Sequence, residues 1–370
     1  YTNTGQSTQT GNVGATTGIG TIAVGASGLI DVVGEVDTQN LTVAAGGVIS
    51  FDRAATHDAA VLTTTGTIEY LENPGGAENQ AVTGTIDGAA LNNGVIILNN
   101  GSTTTFANAI GDSQPIKTLT MTTAGIFNSN VSSLAITSTQ SKVNQFKGDL
   151  TVGATKYIIT GNAGEAMFNG AGDQTVTGEI VGAGAEQGII DNANTAGTVT
   201  FASAQGTVEL KEVELDASTT TVFNNTVKSA LIDVAGKVTL KENDNVANKL
   251  TLAAGGTIII DDTITDGEEV FTAAASQVDD DIAGTGNIKM PANLLNGETI
   301  TLIAGTTDDE DENILAEVNT AVFDTALRTY TATITAAEDN NDIVITAADN
   351  SATTVASNLG TTKNMGTALI

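Results

Sequence analysis

The sequence predicts an all-β protein coiled as a β-solenoid, and three observations carry that prediction. Strand-favouring residues dominate. The 370-residue chain is rich in Thr, Val, Ile and Ala, with hydrophobic residues at 40% and aromatics at only 4%. Branched side chains suit a pleated, half-buried surface. The second observation is punctuation: 41 Gly and frequent Asn break these runs into short segments, and 3 Pro are too few for a Pro-rich linker protein. The third is repetition of one corner phrase along the chain. A disordered acidic chain would lack the Val, Ile and Leu present here. A single globular core of this size would draw on more Phe, Tyr and Trp.

The repeats set the architecture. Val82, Thr83, Gly84, Ile86, Gly88 and Gly94 match Val176, Thr177, Gly178, Ile180, Gly182 and Gly188, and a one-residue insertion then aligns Phe106 with Phe201. A second pair is nearly identical: Leu41 to Ile49 reads LTVAAGGVI, and Leu250 to Ile258 reads LTLAAGGTI. Variants of this phrase begin at Leu119, Leu150 and Val213. Each is an alternating strand, a small-residue corner and another short strand. Alternation places Leu41 and Val43 on one face and Thr42 on the other. The Ala44-Ala45-Gly46-Gly47 corner supplies backbone freedom and leaves no bulky side chain between stacked coils. At roughly 20–25 residues per turn, residues 1–290 would hold about a dozen turns, a rod on the order of 60 Å long at about 4.8 Å per turn. A β-sandwich of Thr/Gly strands is the competing architecture, but sandwiches rarely repeat one corner phrase from Leu41 to Ile258.

Beyond residue 290 the character changes. Residues 298–305 alternate as a strand, and the acidic run Asp308 to Glu312 follows. Tyr330 to Thr335 and Ile343 to Ile345 then flank an Asn/Asp-rich turn and read as a hairpin. The expected division is a solenoid over 1–290, a C-terminal capping and folding module over 291–349, and a linker or loose tail over 350–370. Within that tail, Val355 to Ile370 reads as a weak helix or loose chain.

Charge and cysteine content exclude several functions. With 43 Asp+Glu against 13 Lys+Arg the net charge is −30, and the pI is near 4.1. Nucleic acids and anionic membranes both call for a basic footprint, so neither is an expected partner. With no Cys there are no disulfides, no thiolate metal site and no cysteine nucleophile. Such a composition also suits a chain that crosses an oxidising space unfolded. No apolar run approaches the roughly 18 residues of a membrane helix. No signal-peptide pattern opens the chain, so it reads as a soluble polypeptide from which any leader has been removed.

The repeated L-T-V-x-A-G-G-x-I coils, with the terminal segments Thr299 to Ala304, Tyr330 to Thr335 and Asp342 to Ile345, resemble the passenger of a Gram-negative autotransporter (type V secretion), in particular the rickettsial-type outer-membrane surface antigens. That resemblance implies a right-handed parallel β-helix closed by a C-terminal β-hairpin or cap module, with Ser351 to Ile370 similar to the start of the linker to an outer-membrane barrel. It implies extracellular display on the bacterial outer surface and a role in adhesion or coat formation. The partners would be other copies of the chain, as a homo-oligomer or lattice, or a host or neighbouring cell surface. It brings no catalytic residue. No series of barrel strands follows residue 350. The expectation is therefore a passenger cleaved from its barrel, or a related secreted or surface-layer protein.

Two places could carry chemistry. The lone His57 lies in Asp52-Arg53-Ala54-Ala55-Thr56-His57-Asp58, where Arg, His and two Asp cluster. Pectin-lyase-like enzymes use acidic and basic residues on one face of a β-helix, so a polysaccharide lyase or hydrolase centred on Arg53 and Asp58 is the alternative function. The plainer reading is a polar loop leaving a coil after Phe51. No nucleophile elbow, zincin helix or phosphate-binding loop occurs, and four Tyr with no Trp give little material for stacking on sugars. The carboxylates concentrate in the second half, at Asp261-Asp262, Asp266 with Glu268-Glu269, Asp279-Asp280-Asp281 and Asp308 to Glu312. Hard cations take six to eight oxygen ligands. Asp279, Asp280, Asp281, Asp308, Asp309 and Asp311 are thus the candidate Ca²⁺ ligands, although neither an EF-hand nor a calcium nonapeptide pattern is present. Solvated loops that confer solubility are the plainer reading. The expected function is a non-enzymatic extracellular β-solenoid that adheres or self-associates into a layer or filament.

Overall fold

In the computed structural model, the described residues form a succession of strands that pair in parallel with strands one turn away. The structure describes residues 2–3, 5–14, 18–72, 76, 78–139, 141–242, 245–252 and 256–260, and beyond these the strands named below together with Phe271–Thr272, Thr329–Tyr330 and Thr354–Val355. It divides into two compact units, Tyr1–Ile190 and Asp191–Ile370. In each unit the strands wind as a parallel β-solenoid, and the turns within residues 6–234 number about ten.

In the first unit several coils span 19 residues, as in the register Leu29↔Val48↔Thr67 and in Val36↔Ala55, and a shorter one spans 17, at Ile116↔Ser133. Alternation works as the sequence predicts. Leu41, Val43, Ile49, Phe51, Leu62, Ile68 and Tyr70 all point inward and are fully buried, while Thr42 is exposed. The small-residue corners are tight turns: Gly28 N donates to Gly25 O at 2.9 Å, Gly47 N to Ala44 O at 2.8 Å and Gly66 N to Thr63 O at 2.6 Å. Gly46 takes φ 76° at the third turn position, where a side chain would be strained.

The internal repeat has a structural counterpart. Gln80–Gly88 and the pair Gln174–Thr177 and Ile180–Gly182 occupy equivalent stretches of coil. Val82 and Ile86 are as buried as Val176 and Ile180. Gly84 and Gly178 share a left-handed backbone, with φ 102° and 96°, as do Gly94 and Gly188 at 89° and 78°. At Gly84 and Gly178 a Cβ would collide with the carbonyls of His57 and Val152 on the preceding coil. Close coil-to-coil approach is therefore what fixes these glycines.

The few aromatics are gathered into one column inside the first unit. Ring centroids run from Phe51 to Tyr70 (5.8 Å), Tyr70 to Phe106 (5.4 Å), Phe106 to Phe127 (5.2 Å), Phe127 to Phe146 (5.1 Å) and Phe146 to Phe168 (5.7 Å). Parallel in-register pairing sets equivalent residues about 4.8 Å apart, so aromatics at equivalent positions are held within stacking distance without further adjustment. Phe106, Phe127, Phe146 and Phe168 are paired in this way across successive coils.

Buried amides complete the interior. Gln80, 2% exposed, donates from Nε2 to the carbonyls of Phe51 (3.1 Å) and Leu71 (2.8 Å). Gln174 repeats the arrangement on Phe146 O and Gly148 O, both at 2.9 Å, and its Oε1 accepts from Gly170 N at 2.8 Å. Where a coil bends, ladder bonds are lost, and these side chains satisfy the freed backbone groups.

In the second unit Thr198–Phe201, Thr220–Phe223, Lys237–Leu240 and Thr257–Ile260 pair in parallel succession. Gln205–Leu215, Val227–Val234 and Asn245–Leu252 form a second series. Phe201 stacks on Phe223 at 4.8 Å. The hairpin expected of Tyr330–Thr335 and Ile343–Ile345 is replaced by parallel pairing. Thr333–Ala336 pairs with Thr299–Ile303, which also pairs with Ile282–Gly284, and Asn341–Thr346 pairs with Thr320–Asp324 on one side and Met365–Leu369 on the other. Thr320–Asp324 in turn pairs with Asn287–Met290. An Asn/Asp-rich link can close a hairpin or carry a coil onward, and the local sequence does not distinguish the two. Within 350–370, Thr354–Val355 and Met365–Leu369 are strands.

Candidate functional site

Two features of the first unit are candidates: the polar cluster after Phe51 and the outward face of the central coils.

The cluster does not converge. Phe51 ends a strand, Asp52 and Arg53 lie in the bend, and Ala55–Leu62 begins the next strand. Alternation along Ala55–Leu62 sends His57 into the core, 2% exposed, and Asp58 to the exposed outer face. The sheet therefore separates the two. Arg53 Nη1 lies 3.4 Å from Glu78 Oε2, and both side chains are about half exposed. Burial lowers the His57 pKa to about 4 against the small opposing pull of Asp58, so the imidazole is neutral at pH 7. Neither of its nitrogens has a hydrogen-bond partner among the described residues. Asp52 is 5% exposed. Burial first, then repulsion from Asp31, raises its pKa, and Arg53 partly offsets this.

The outward face is regular. Strands Asn93–Asn99, Ile116–Met121 and Val131–Ser138 bury Ile96, Leu98, Leu119, Met121, Ile136 and Ser138, so the intervening residues face out. Register aligns these as two columns, Val95↔Thr118↔Ala135 and Ile97↔Thr120↔Thr137, and Ile158 continues the second. None of the seven is charged, and all but Ala135 are β-branched. At the next position of the first column, Lys156 Nζ pairs with Glu179 at 2.8 Å. Chemically this is a regular strip of methyl and hydroxyl groups at about 4.8 Å repeat, suited to packing against another sheet face.

The candidate Ca²⁺ ligands Asp279, Asp280, Asp281, Asp308, Asp309 and Asp311 lie outside the described residues, as do Asp261, Asp262, Asp266, Glu268 and Glu269. Among the described residues no three of His, Cys, Asp and Glu come together as a metal site.

Sequence reading missed the inward turn of His57 and the buried amides. The available signal for His57 was strand alternation through Ala55, His57, Ala60 and Leu62, which is broken by the bulge between Thr56 and Ala59. For the amides it was the Gln that opens each repeat. Searches with this chain find no family model, no curated protein and no solved structure that matches it.

Proposed function

We propose that this chain is a non-enzymatic extracellular surface protein, a right-handed β-solenoid of the autotransporter-passenger kind. It acts structurally, by self-association into a layer or filament or by adhesion to a neighbouring surface. One observation supports this most: the strip Val95, Ile97, Thr118, Thr120, Ala135, Thr137 and Ile158 is in register and uncharged, in a chain of net charge −30. Long-range repulsion opposes contact between such chains. A strip of uncharged, mostly β-branched residues offers apolar contact without adding to that repulsion. In this proposal the C-terminal module closes the open edge of the stack, since an uncovered edge would pair with any available strand. Ca²⁺ at Asp279 to Asp281 and Asp308 to Glu312 relieves the local carboxylate repulsion.

The test is negative-stain microscopy with light scattering of the purified chain, with Ca²⁺ and with chelator at matched ionic strength. It is repeated on Ile97→Glu and Thr120→Glu. Filaments or sheets lost in the Glu variants support the strip as the contact surface, and dissolution on chelation supports the cation sites. Assembly unaffected by either Glu substitution refutes the strip. Turnover of a polysaccharide that disappears in Arg53→Ala would replace the proposal with the enzymatic alternative.

A further inference from the structure

We propose that the coil around His57 is an acid-triggered opening point, at which strand Ala55–Leu62 separates from its neighbours Val36–Val43 and Gln80–Gly88 so that the imidazole reaches water. Three features of the site lead there. His57 is buried on the core face with neither ring nitrogen bonded among the described residues. An imidazolium carries two N–H donors and a charge, so protonation in place would bury both without partners.

The surroundings offer no compensation. On Val36–Val43 the residue opposite His57 is Thr38, whose hydroxyl donates to the carbonyls of Ile19 and Asn40 and makes no hydrogen bond with either ring nitrogen. Its neighbour Asp37 is exposed. On Gln80–Gly88 the facing residue is Gly84, between Thr83 and Thr85, which pair with Thr56 and Ala59, and Asp87 lies three residues further along. On its own strand Asp58 is the one charge that favours protonation. Burial outweighs it and holds the His57 pKa to about 4, against 6.5 for a free imidazole.

The ladder is already weak here. Pairing with Gln80–Gly88 shifts register between Thr56 and Ala59, which leaves His57 and Asp58 opposite Gly84 alone. A Cβ added at Gly84, at φ 102°, would collide with the His57 carbonyl and meet Nδ1, so the neighbouring coil passes close to the ring with no side chain of its own to accept a proton from it. Moving the strand outward is the route that hydrates the cation. A group that binds protons near 6.5 when open and about 4 when closed couples opening to pH. The open population rises about tenfold per pH unit across that window, up to roughly 300-fold.

Hydrogen exchange of the full chain at pH 6.5 and pH 4 tests this, with rates corrected for intrinsic exchange and Ala124–Phe127 as internal reference. Ala55–Leu62 and the facing parts of its two neighbours should lose protection by one to two orders of magnitude relative to the reference. His57→Gln and His57→Leu should show no such differential loss. Equal pH dependence in the wild type and either variant overturns the proposal. Wild-type protection that stays level between the two pH values overturns it as well, even if neither variant folds.

Discussion

Removing the ring of Phe127 should open a gap in the aromatic column that the fold cannot close. Phe127 is 1% exposed and stacks between Phe106 at 5.2 Å and Phe146 at 5.1 Å, with interplanar angles of 5° and 11°. Its neighbours are held by parallel ladders, so they cannot move together to fill a void. Phe127→Ala should then cost about 4–5 kcal/mol, the upper part of the range for that truncation. Phe127→Leu keeps most of the buried area but loses two stacked contacts of about 0.5–1.5 kcal/mol each, and should cost about 1–3 kcal/mol. Gly125 offers a check on the geometry, because a Cβ there would lie 2.7 Å from the Phe127 ring. Gly125→Ala should therefore destabilise the wild type but cost much less in the Phe127→Ala background, where the ring is gone. Urea unfolding followed by circular dichroism gives the energies. Hydrogen exchange locates them, and the loss should centre on Thr103–Phe106, Ala124–Phe127 and Val143–Phe146, because coils couple chiefly to their neighbours. Equal costs for the Leu and Ala variants, or an additive Gly125 cycle, would refute the stacked-column account.

Four further outcomes are expected. Gln174→Leu should cost about 2–4 kcal/mol in urea unfolding, since it strips the carbonyls of Phe146 and Gly148 and the amide of Gly170 of their partner. Gly178→Ala should lose about 2 kcal/mol or more through its left-handed backbone and the nearby Val152 carbonyl. Gly20→Ala, with open space around it, should be nearly neutral in the same assay. For Asp52, a folded pKa raised above 3.8 means the protonated acid suits the fold. Its favourable contribution is complete below pH 3.8 and is lost as pH rises through the raised value. Asp52→Asn should thus raise the urea midpoint at pH 7 and leave it nearly unchanged at pH 3, and a lower midpoint at pH 7 would contradict this.

The sequence by itself determined what depends on a few adjacent residues. β-Branched alternation made strands, and Ala-Ala-Gly-Gly could only be a corner. These properties belong to the residue and its immediate neighbours, so they are legible without a fold. Tertiary structure decided what depends on which coil lies beside which. Phe51, Tyr70, Phe106, Phe127, Phe146 and Phe168 are unevenly spaced along the chain, and only coil pairing brings their rings into one column. His57 and Asp58, adjacent in sequence, are divided between core and solvent because one residue of strand reverses the face. The same dependence on distant partners explains the C-terminal strands. Tyr330 to Thr335 and Ile343 to Ile345 have the local pattern of a hairpin, yet the ladder bonds of Asn341–Thr346 go to Thr320–Asp324 and Met365–Leu369. Strand pairing is a choice among competing edges, and the winning edge is set by the stack rather than by the turn.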